Sequence, residues 1–317
     1  MQEAHDPYDV VIIGGGPAGL SAALALGRAR KRVLLCDAGP RRNQAAARVH
    51  NFVTRDGTPP DEFRAVARAQ LAAYPTVEVR DVGVDAVTGE RGAFRVARGA
   101  DTAVARRVLL CTGMIDELPP LEGLRELWGH AVFQCPYCHG WELQDRAWGY
   151  LARAGQEAHL VPFALQLRAW TDRVTVFTAG ELEVADEARR QLAAAGVGLE
   201  TAPVRRLIAR GQTLAAVELA GGAQIACDAL FHHPPQRQVE VVRALGVALD
   251  ADGFVQVDPG TRATSVPGVS AAGDLTSRMQ AAIAAAASGM HAAAMLNLDL
   301  TVERVTSSAA PTSSTPS

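Results

Sequence analysis

Cys135 and Cys138 stand in the run Gln134-Cys135-Pro136-Tyr137-Cys138-His139-Gly140-Trp141-Glu142, and two thiols at this spacing can do redox chemistry. C-x-x-C is the shortest arrangement in which one thiolate attacks a disulfide and the second resolves the mixed disulfide. His139 follows directly, and an imidazole, with an ordinary pKa of about 6.5, can accept and return a proton near neutral pH. A helix starting at this run would aim unsatisfied N–H groups at one sulfur and favour its thiolate.

These side chains need elements to hold them. Residues 10–13 form a short β-branched apolar run ending in Gly14-Gly15-Gly16-Pro17-Ala18-Gly19, and residues 20–30 are rich in Ala and Leu. The pattern predicts strand, tight turn and helix. A second apolar run, 32–36, ends at Asp37, which is the spacing of a dinucleotide-binding βαβ unit. In such a unit Gly14 makes the turn, and Gly16, with Pro17 and Ala18 opening the helix, lets backbone amides approach a pyrophosphate. Gly19 permits close helix–strand packing, and Asp37 accepts from a ribose hydroxyl.

Residues 73–98 predict alternating strands, and 107–113, ending in Cys111-Thr112-Gly113, a buried strand closing on a turn. Pro119-Pro120 opens a new unit that holds the cysteine pair. It offers strands at 148–152 and 174–177, a helix near 183–195, and a strand at 229–232 before Pro234-Pro235. Residues 268–274 then predict a strand ending in Gly273-Asp274, followed by an Ala-dense helix over 280–296. Residues 307–317 are Ser, Thr, Pro and Ala without periodicity and are expected to be disordered.

Composition narrows the function classes. A chain of 317 residues fits two α/β domains, each with its own core. A formal net charge of -3 leaves no basic excess for a phosphate backbone, so a nucleic-acid partner is not expected. No apolar run approaches the roughly 18 to 20 residues of a membrane span, and residues 1–9 are acidic and polar with no secretory pattern. The expectation is a cytoplasmic protein without a membrane partner. Five cysteines argue against a disulfide framework. Cys36, Cys111 and Cys227 lie in or beside apolar runs and are expected to be buried thiols.

Together these motifs resemble the low-molecular-weight thioredoxin reductase family of flavoproteins, over nearly the whole chain apart from its ends. The glycine turn, Asp37, Cys111-Thr112-Gly113, the cysteine pair, and Gly273-Asp274 with Gln280-Ala281 fall in that family's order. The resemblance implies an α/β fold of two Rossmann-like three-layer domains, the second inserted in the first. Residues 1–115 and 245–306 would form the FAD domain, and 116–244 the NAD(P)-like domain carrying the cysteines. It also implies that FAD is held by Gly14, Gly16, Pro17, Ala18, Gly19, Asp37, Thr112 and Gly113. Asn51 would lie near the isoalloxazine, with Gly273, Asp274, Gln280 and Ala281 toward the ribityl chain and ring edge. Cys138 would face the flavin C4a, Cys135 would exchange with the external partner, and the chain would be a homodimer. Many family members carry Asp where His139 stands. A histidine there, continuing as Cys-His-Gly-Trp-Glu, is similar to the subgroup with the dithiol oxidases of gliotoxin and holomycin biosynthesis.

The pattern breaks at the second nucleotide motif. Where a G-x-G-x-x-G loop would follow the strand at 148–152, the chain has Ala152-Arg153-Ala154-Gly155-Gln156-Glu157, with one usable glycine and an added negative charge. After 174–177 it reads Thr178-Ala179-Gly180-Glu181, without the arginines that NADPH-using relatives place there. The electron source or sink therefore stays open among NAD(P)H, oxygen, an electron-carrier protein such as ferredoxin, and a second flavin. Trp148, Tyr150, Phe163 and Trp170 could stack on such a flavin, although such rings more often belong to a core. The thiol partner is either a thioredoxin-like protein or a small-molecule dithiol or disulfide. Rival uses of the cysteine run fit less well. The c-type haem attachment C-x-x-C-H requires export, and zinc would need two more ligands, while His232 and His233 follow an apolar run and read as structural. Glutaredoxins share Cys-Pro-Tyr-Cys, but in a small single domain with a different layout.

Overall fold

The computed structural model describes residues 6–308, and its contacts divide the chain into two units. Within the described residues the first takes residues 6–42, then Asp61–Ile115, then residues 237–308. Its sheet is built from β1 (Tyr8–Ile13), β2 (Val33–Cys36), β3 (Val77–Arg80), β4 (Ala86–Thr88), β5 (Phe94–Arg98) and β6 (Asp101–Leu110). The order is β3-β2-β1-β6-β5-β4, and Val269–Ala271 also pairs with β6. β1 runs parallel to β2 and β6, while β4, β5 and β6 are antiparallel.

A central parallel strand is covered on both faces, which is why β1 and β2 are continuous apolar runs rather than alternating ones. Val10 and Ile12 pack with helix α1 (Pro17–Arg28) and the C-terminal helix, and Val11 and Ile13 pack with Phe94, Val96 and Val242 on the other side. The C-terminal helix is Ala282–Ser308, well past the expected end at 296 and through 307 and 308, which were expected to be disordered. The rest of that stretch, 309–317, lies outside the described residues. The extension is held by Leu300, buried in the same cluster as Val10 and Ile12, and by charge. Arg107, buried on β6, reaches Asp299 at 2.7 Å and Glu303, and Arg106 reaches Glu303 at 2.9 Å.

Two boundaries differ from the sequence reading. The chain rejoins the first unit at Arg237 rather than 245, because Val241 and Val242 of the helix Glu240–Ala244 pack in the same cluster as Val11 and Val108. Residues 43–60 group with the second unit although they sit between β2 and β3 in sequence.

The second unit comprises Asn43–Pro60 and Asp116–Gln236. Five parallel strands run in the order Gly198–Glu200, Val174–Phe177, Trp148–Leu151, Ala229–His232 and Val132–Phe133. Trp148, Tyr150 and Phe231 pack with Leu160, Ala164 and Leu192 of the helices Glu157–Leu167 and Asp186–Ala194. Leu151, Phe177 and Leu230 face the other way, onto Leu207, Leu214 and Val217. Those belong to a three-stranded antiparallel sheet, Val204–Arg210, Thr213–Leu219 and Gln224–Ala226, which the sequence reading did not resolve. Both units are three-layer folds of Rossmann type.

Candidate functional site

In the first unit the strand β1 ends in a turn that only glycine can make. Gly14 has φ +112° and donates its N–H to the Cys36 carbonyl at 2.8 Å. A Cβ on Gly14 would overlap the Cys111 carbonyl, and one on Gly19 would overlap the carbonyl of Gly14. Gly15 matters too, which the sequence reading missed, since a Cβ there would fall on the Asp37 carboxylate. Gly16 is the N-cap of α1 with open space before it, and Pro17 at the first helical position needs no N–H partner. The following amides, at the positive end of a twelve-residue helix, suit a pyrophosphate.

Asp37, 6% exposed, ends β2. Its Oδ1 accepts from the Gly39 N–H at 2.9 Å, and its Oδ2 accepts from Arg64 Nε at 3.0 Å. Arg64 comes from helix α2 (Pro60–Leu71), and no local pattern announces it. Arg64 Nη2 donates to the same Oδ2, so Oδ1 is the oxygen whose second lone pair can still accept from a ribose hydroxyl. On the far side, Gly273 donates to Ser288 Oγ at 2.9 Å and its Cβ position lies 3.0 Å from Ala18 Cβ, which sets Asp274 near the start of α1. Arg42 Nη1 donates to Gln280 Oε1 at 2.5 Å and to Asp274 Oδ2 at 3.3 Å. The Ala281 carbonyl accepts from the Ala285 N–H at 2.9 Å in the first turn of the C-terminal helix. Cys111 N–H donates to the Ile13 carbonyl at 2.8 Å, so Thr112 and Gly113 follow directly on the glycine turn. Arg42 was also missed, although Arg41-Arg42 just after Asp37 was a visible basic pair. These donors and the open amides fit FAD.

In the second unit the cysteine pair sits on the helix Pro136–His139, with Cys135 as its N-cap. It is a single turn of four residues, so the helix start expected from sequence is present but short. The two sulfurs lie 2.8 Å apart and both cysteines are half-buried. Gly140 is required because a Cβ would press on the Pro136 carbonyl at 2.5 Å and on Trp170 at 2.9 Å. His139 stacks on Phe133, ring centroids 4.2 Å apart, and its buried ring nitrogens make no hydrogen bond of ordinary geometry. Burial pushes its pKa down to about 4, with Glu142 acting upward, His50 downward and the Cys135 backbone upward. The imidazole is therefore neutral at pH 7, a weaker proton carrier than its ordinary pKa implied.

Asn51 belongs to the second unit. It sits at φ +59° and donates Nδ2 to the Tyr137 carbonyl at 2.5 Å, between the two cysteines in sequence. The remaining thiols are structural. Cys36, Cys111 and Cys227 are buried, and burial pushes Cys36 up to about 11, Cys227 up to about 12 and Cys111 upward as well.

The turn after Trp148–Leu151 closes on itself. Gly155, at φ +79°, donates its N–H to Glu157 Oε1 at 3.0 Å, and that hydrogen-bonded carboxyl is held below its ordinary range by backbone amides. Arg153 Nε donates to the His233 carbonyl at 2.9 Å. Trp148 and Tyr150 are fully buried core, and Phe163 and Trp170 pack against them. His232 Nδ1 lies 2.9 Å from the Leu151 carbonyl. Among the described residues, no helix is long and apolar enough to cross a membrane.

The family described as pyridine nucleotide-disulphide oxidoreductase matches residues 8–289. The chain is 37% identical over 180 residues to a probable thioredoxin reductase of Arthroderma benhamiae, a match covering 55% of this chain but only 44% of that relative's length. It is 32% identical over 276 residues to thioredoxin reductase tcpT of Claviceps purpurea, covering 84% of this chain and 86% of the relative. The crystal structure of HlmI is similar with a TM-score of 0.88 and 38% identity, over 96% of both chains.

Proposed function

The chain belongs to the pyridine nucleotide-disulphide oxidoreductase family, and from this premise we propose that it exchanges two electrons between a thiol partner and its Cys135/Cys138 pair. The observation that carries this reading is the 2.8 Å approach of the two sulfurs on one short turn. Bound along Gly14, Gly16, Gly19, Asp37, Asp274 and Gln280, FAD would supply a two-electron acceptor or donor. The rest is thiol chemistry. In the oxidising direction a substrate thiolate attacks Sγ of Cys135 in the disulfide form, and Cys138 leaves as a thiolate. The second substrate thiol then attacks the substrate sulfur of the mixed disulfide, which closes the product disulfide and releases Cys135. His139 is neutral beside the pair and can accept a thiol proton only transiently, since its lowered basicity makes that transfer uphill. The partner is a thioredoxin-like protein or a small-molecule dithiol, and the reverse sequence reduces a disulfide.

A second reading, a dithiol oxidase with oxygen as final acceptor, is favoured by the Glu157 carboxylate on the Gly155 amide. That carboxylate takes a donor a nicotinamide dinucleotide would need. We also propose a homodimer, supported by Leu298, Val302 and Val305, each more than half exposed at i, i+4 and i+7 on the C-terminal helix. Anaerobic mixing of the flavin-loaded protein with NADPH, NADH, a dithiol or reduced ferredoxin tests the electron route. Bleaching by dithiol alone, with peroxide on admitting air, supports the oxidase; fast bleaching by NADPH overturns it.

A further inference from the structure

The five-stranded sheet of the second unit carries the cysteine pair and the Gly155 turn at one end, since Cys135 follows Val132–Phe133 and Gly155 follows Trp148–Leu151. The other end is built differently. There His130 leads into Val132–Phe133, Arg146 into Trp148–Leu151 and Asp228 into Ala229–His232, three neighbouring parallel strands. Their side chains line a cleft of about 330 Å³ together with Arg210, which sits at the tip of the hairpin joining Val204–Arg210 to Thr213–Leu219. Leu143 and Leu214 add an apolar wall.

Hydrogen bonds tie these walls to one another. Asp228 Oδ2 accepts from the Ala147 N–H at 2.9 Å, and the Asp228 N–H donates to the Ala147 carbonyl at 2.7 Å. The Cys227 N–H donates to the Ala215 carbonyl at 3.3 Å, and Thr213 Oγ1 donates to the Arg210 carbonyl at 2.8 Å, which fixes the hairpin tip. The cationic side chains are left unpaired. Among the described residues, neither the Arg146 nor the Arg210 guanidinium has a hydrogen bond or ion pair, even with Asp228 in the same cleft, although both backbone carbonyls are engaged. Two guanidiniums facing one concave space repel each other, and its low-dielectric walls concentrate their field on whatever enters. A guanidinium presents a planar fork of N–H donors that matches the oxygens of a carboxylate or phosphate. His130 adds an imidazole donor, and the Asp228 carboxylate keeps lone pairs for a donor on the ligand. A volume of about 330 Å³ exceeds that of a bare oxyanion and falls at the small end of ligand pockets.

We propose that this cleft binds a small organic anion: Arg146 and Arg210 hold its phosphate or carboxylate group, and a hydroxyl or ammonium on the same short carbon skeleton donates to Asp228. The cleft lies at the end of the sheet opposite the cysteines, and the inference does not depend on how the Cys135/Cys138 pair is used.

The test is calorimetric titration of the full flavin-loaded chain with glycerol 3-phosphate, glycerate, inorganic phosphate and glycerol. Saturable binding of glycerol 3-phosphate or glycerate is expected with a dissociation constant below about 1 mM, and the tighter of the two tells a phosphate site from a carboxylate site. Glycerol, which lacks the anion, is expected not to bind. Arg146→Gln and Arg210→Gln are each expected to weaken binding about tenfold, the loss of one charge-assisted hydrogen bond. Both arginines are exposed and unpaired, so either variant is expected to fold and melt as the wild type does. No saturable heat from either organic anion up to about 10 mM overturns the proposal, as does wild-type affinity in both variants. Inorganic phosphate binding as tightly as glycerol 3-phosphate, or glycerol binding as tightly as either anion, overturns it as well, because the cleft would then read only a bare ion or only the carbon skeleton.

Discussion

Each unit contains a strand that turns into a helix at the place where a dinucleotide could dock, and the two turns leave different donors unsatisfied. After Ile13 the chain passes Gly14, Gly16 and Gly19 into α1, and the space before Gly16 is open. After Leu151 it passes Gly155 into Glu157–Leu167, and the Glu157 side chain folds back onto the Gly155 amide. Anion affinity at a helix start comes from amides without partners. One acidic side chain two residues downstream supplies the partner from within. What distinguishes the turns is therefore the fate of the N–H groups, and a count of glycines captures only part of it.

The sharpest way to break this comparison is to add one methyl to each turn. Gly14→Ala forces a Cβ into the Cys111 carbonyl at φ +112°, with an expected cost of about 2–4 kcal/mol and loss of bound FAD, read by denaturant unfolding and flavin absorbance. Gly155→Ala meets nothing within 4 Å, so only the left-handed backbone cost of about 1–2 kcal/mol is expected, with flavin content unchanged. Equal losses would mean that the two turns are not different in kind. The chemistry of the second unit is sharpened by Cys138→Ser, which removes the resolving thiol: a stable mixed disulfide on Cys135 is expected by intact mass, while Cys135→Ser traps none. Glu157→Ala frees the Gly155 amide, and NADPH affinity by calorimetry is expected to rise by up to about tenfold. No change there would show that the carboxylate does not guard the turn.

The smallest effect lies away from both turns. Arg107 and Arg106 hold the Glu303 carboxyl down to about 2. A depressed carboxyl stabilises the fold above its ordinary range and loses that contribution as pH falls from about 4.5 through about 2. Glu303→Gln is expected to lower the melting temperature by about 2–4 °C at pH 7, with the difference vanishing toward pH 2. A difference that persists at low pH would assign the effect to packing.

Local pattern made much of this molecule legible. Strand, glycine turn, helix and Asp37 follow from a run of neighbours, and the strands Trp148–Leu151, Val174–Phe177 and Ala229–His232 follow from short buried apolar runs. Contacts between distant residues were not legible. Arg64 on Asp37 and Arg42 on Gln280 join positions that no periodicity links. The grouping of residues 43–60 with the cysteine unit has the same origin, since that loop carries no apolar period and is placed by Asn51, His50 and Asp56. His139 was visible as a candidate, but its burial against Phe133, which sets its proton affinity, was not.

The most direct measurement follows the flavin absorbance of the loaded protein after one equivalent of a small dithiol is added without oxygen, in wild type and in Cys138→Ser. Bleaching in the wild type and none in the variant is expected if electrons pass through the Cys135/Cys138 pair. Equal bleaching in both would contradict it, because the electrons would then bypass the pair.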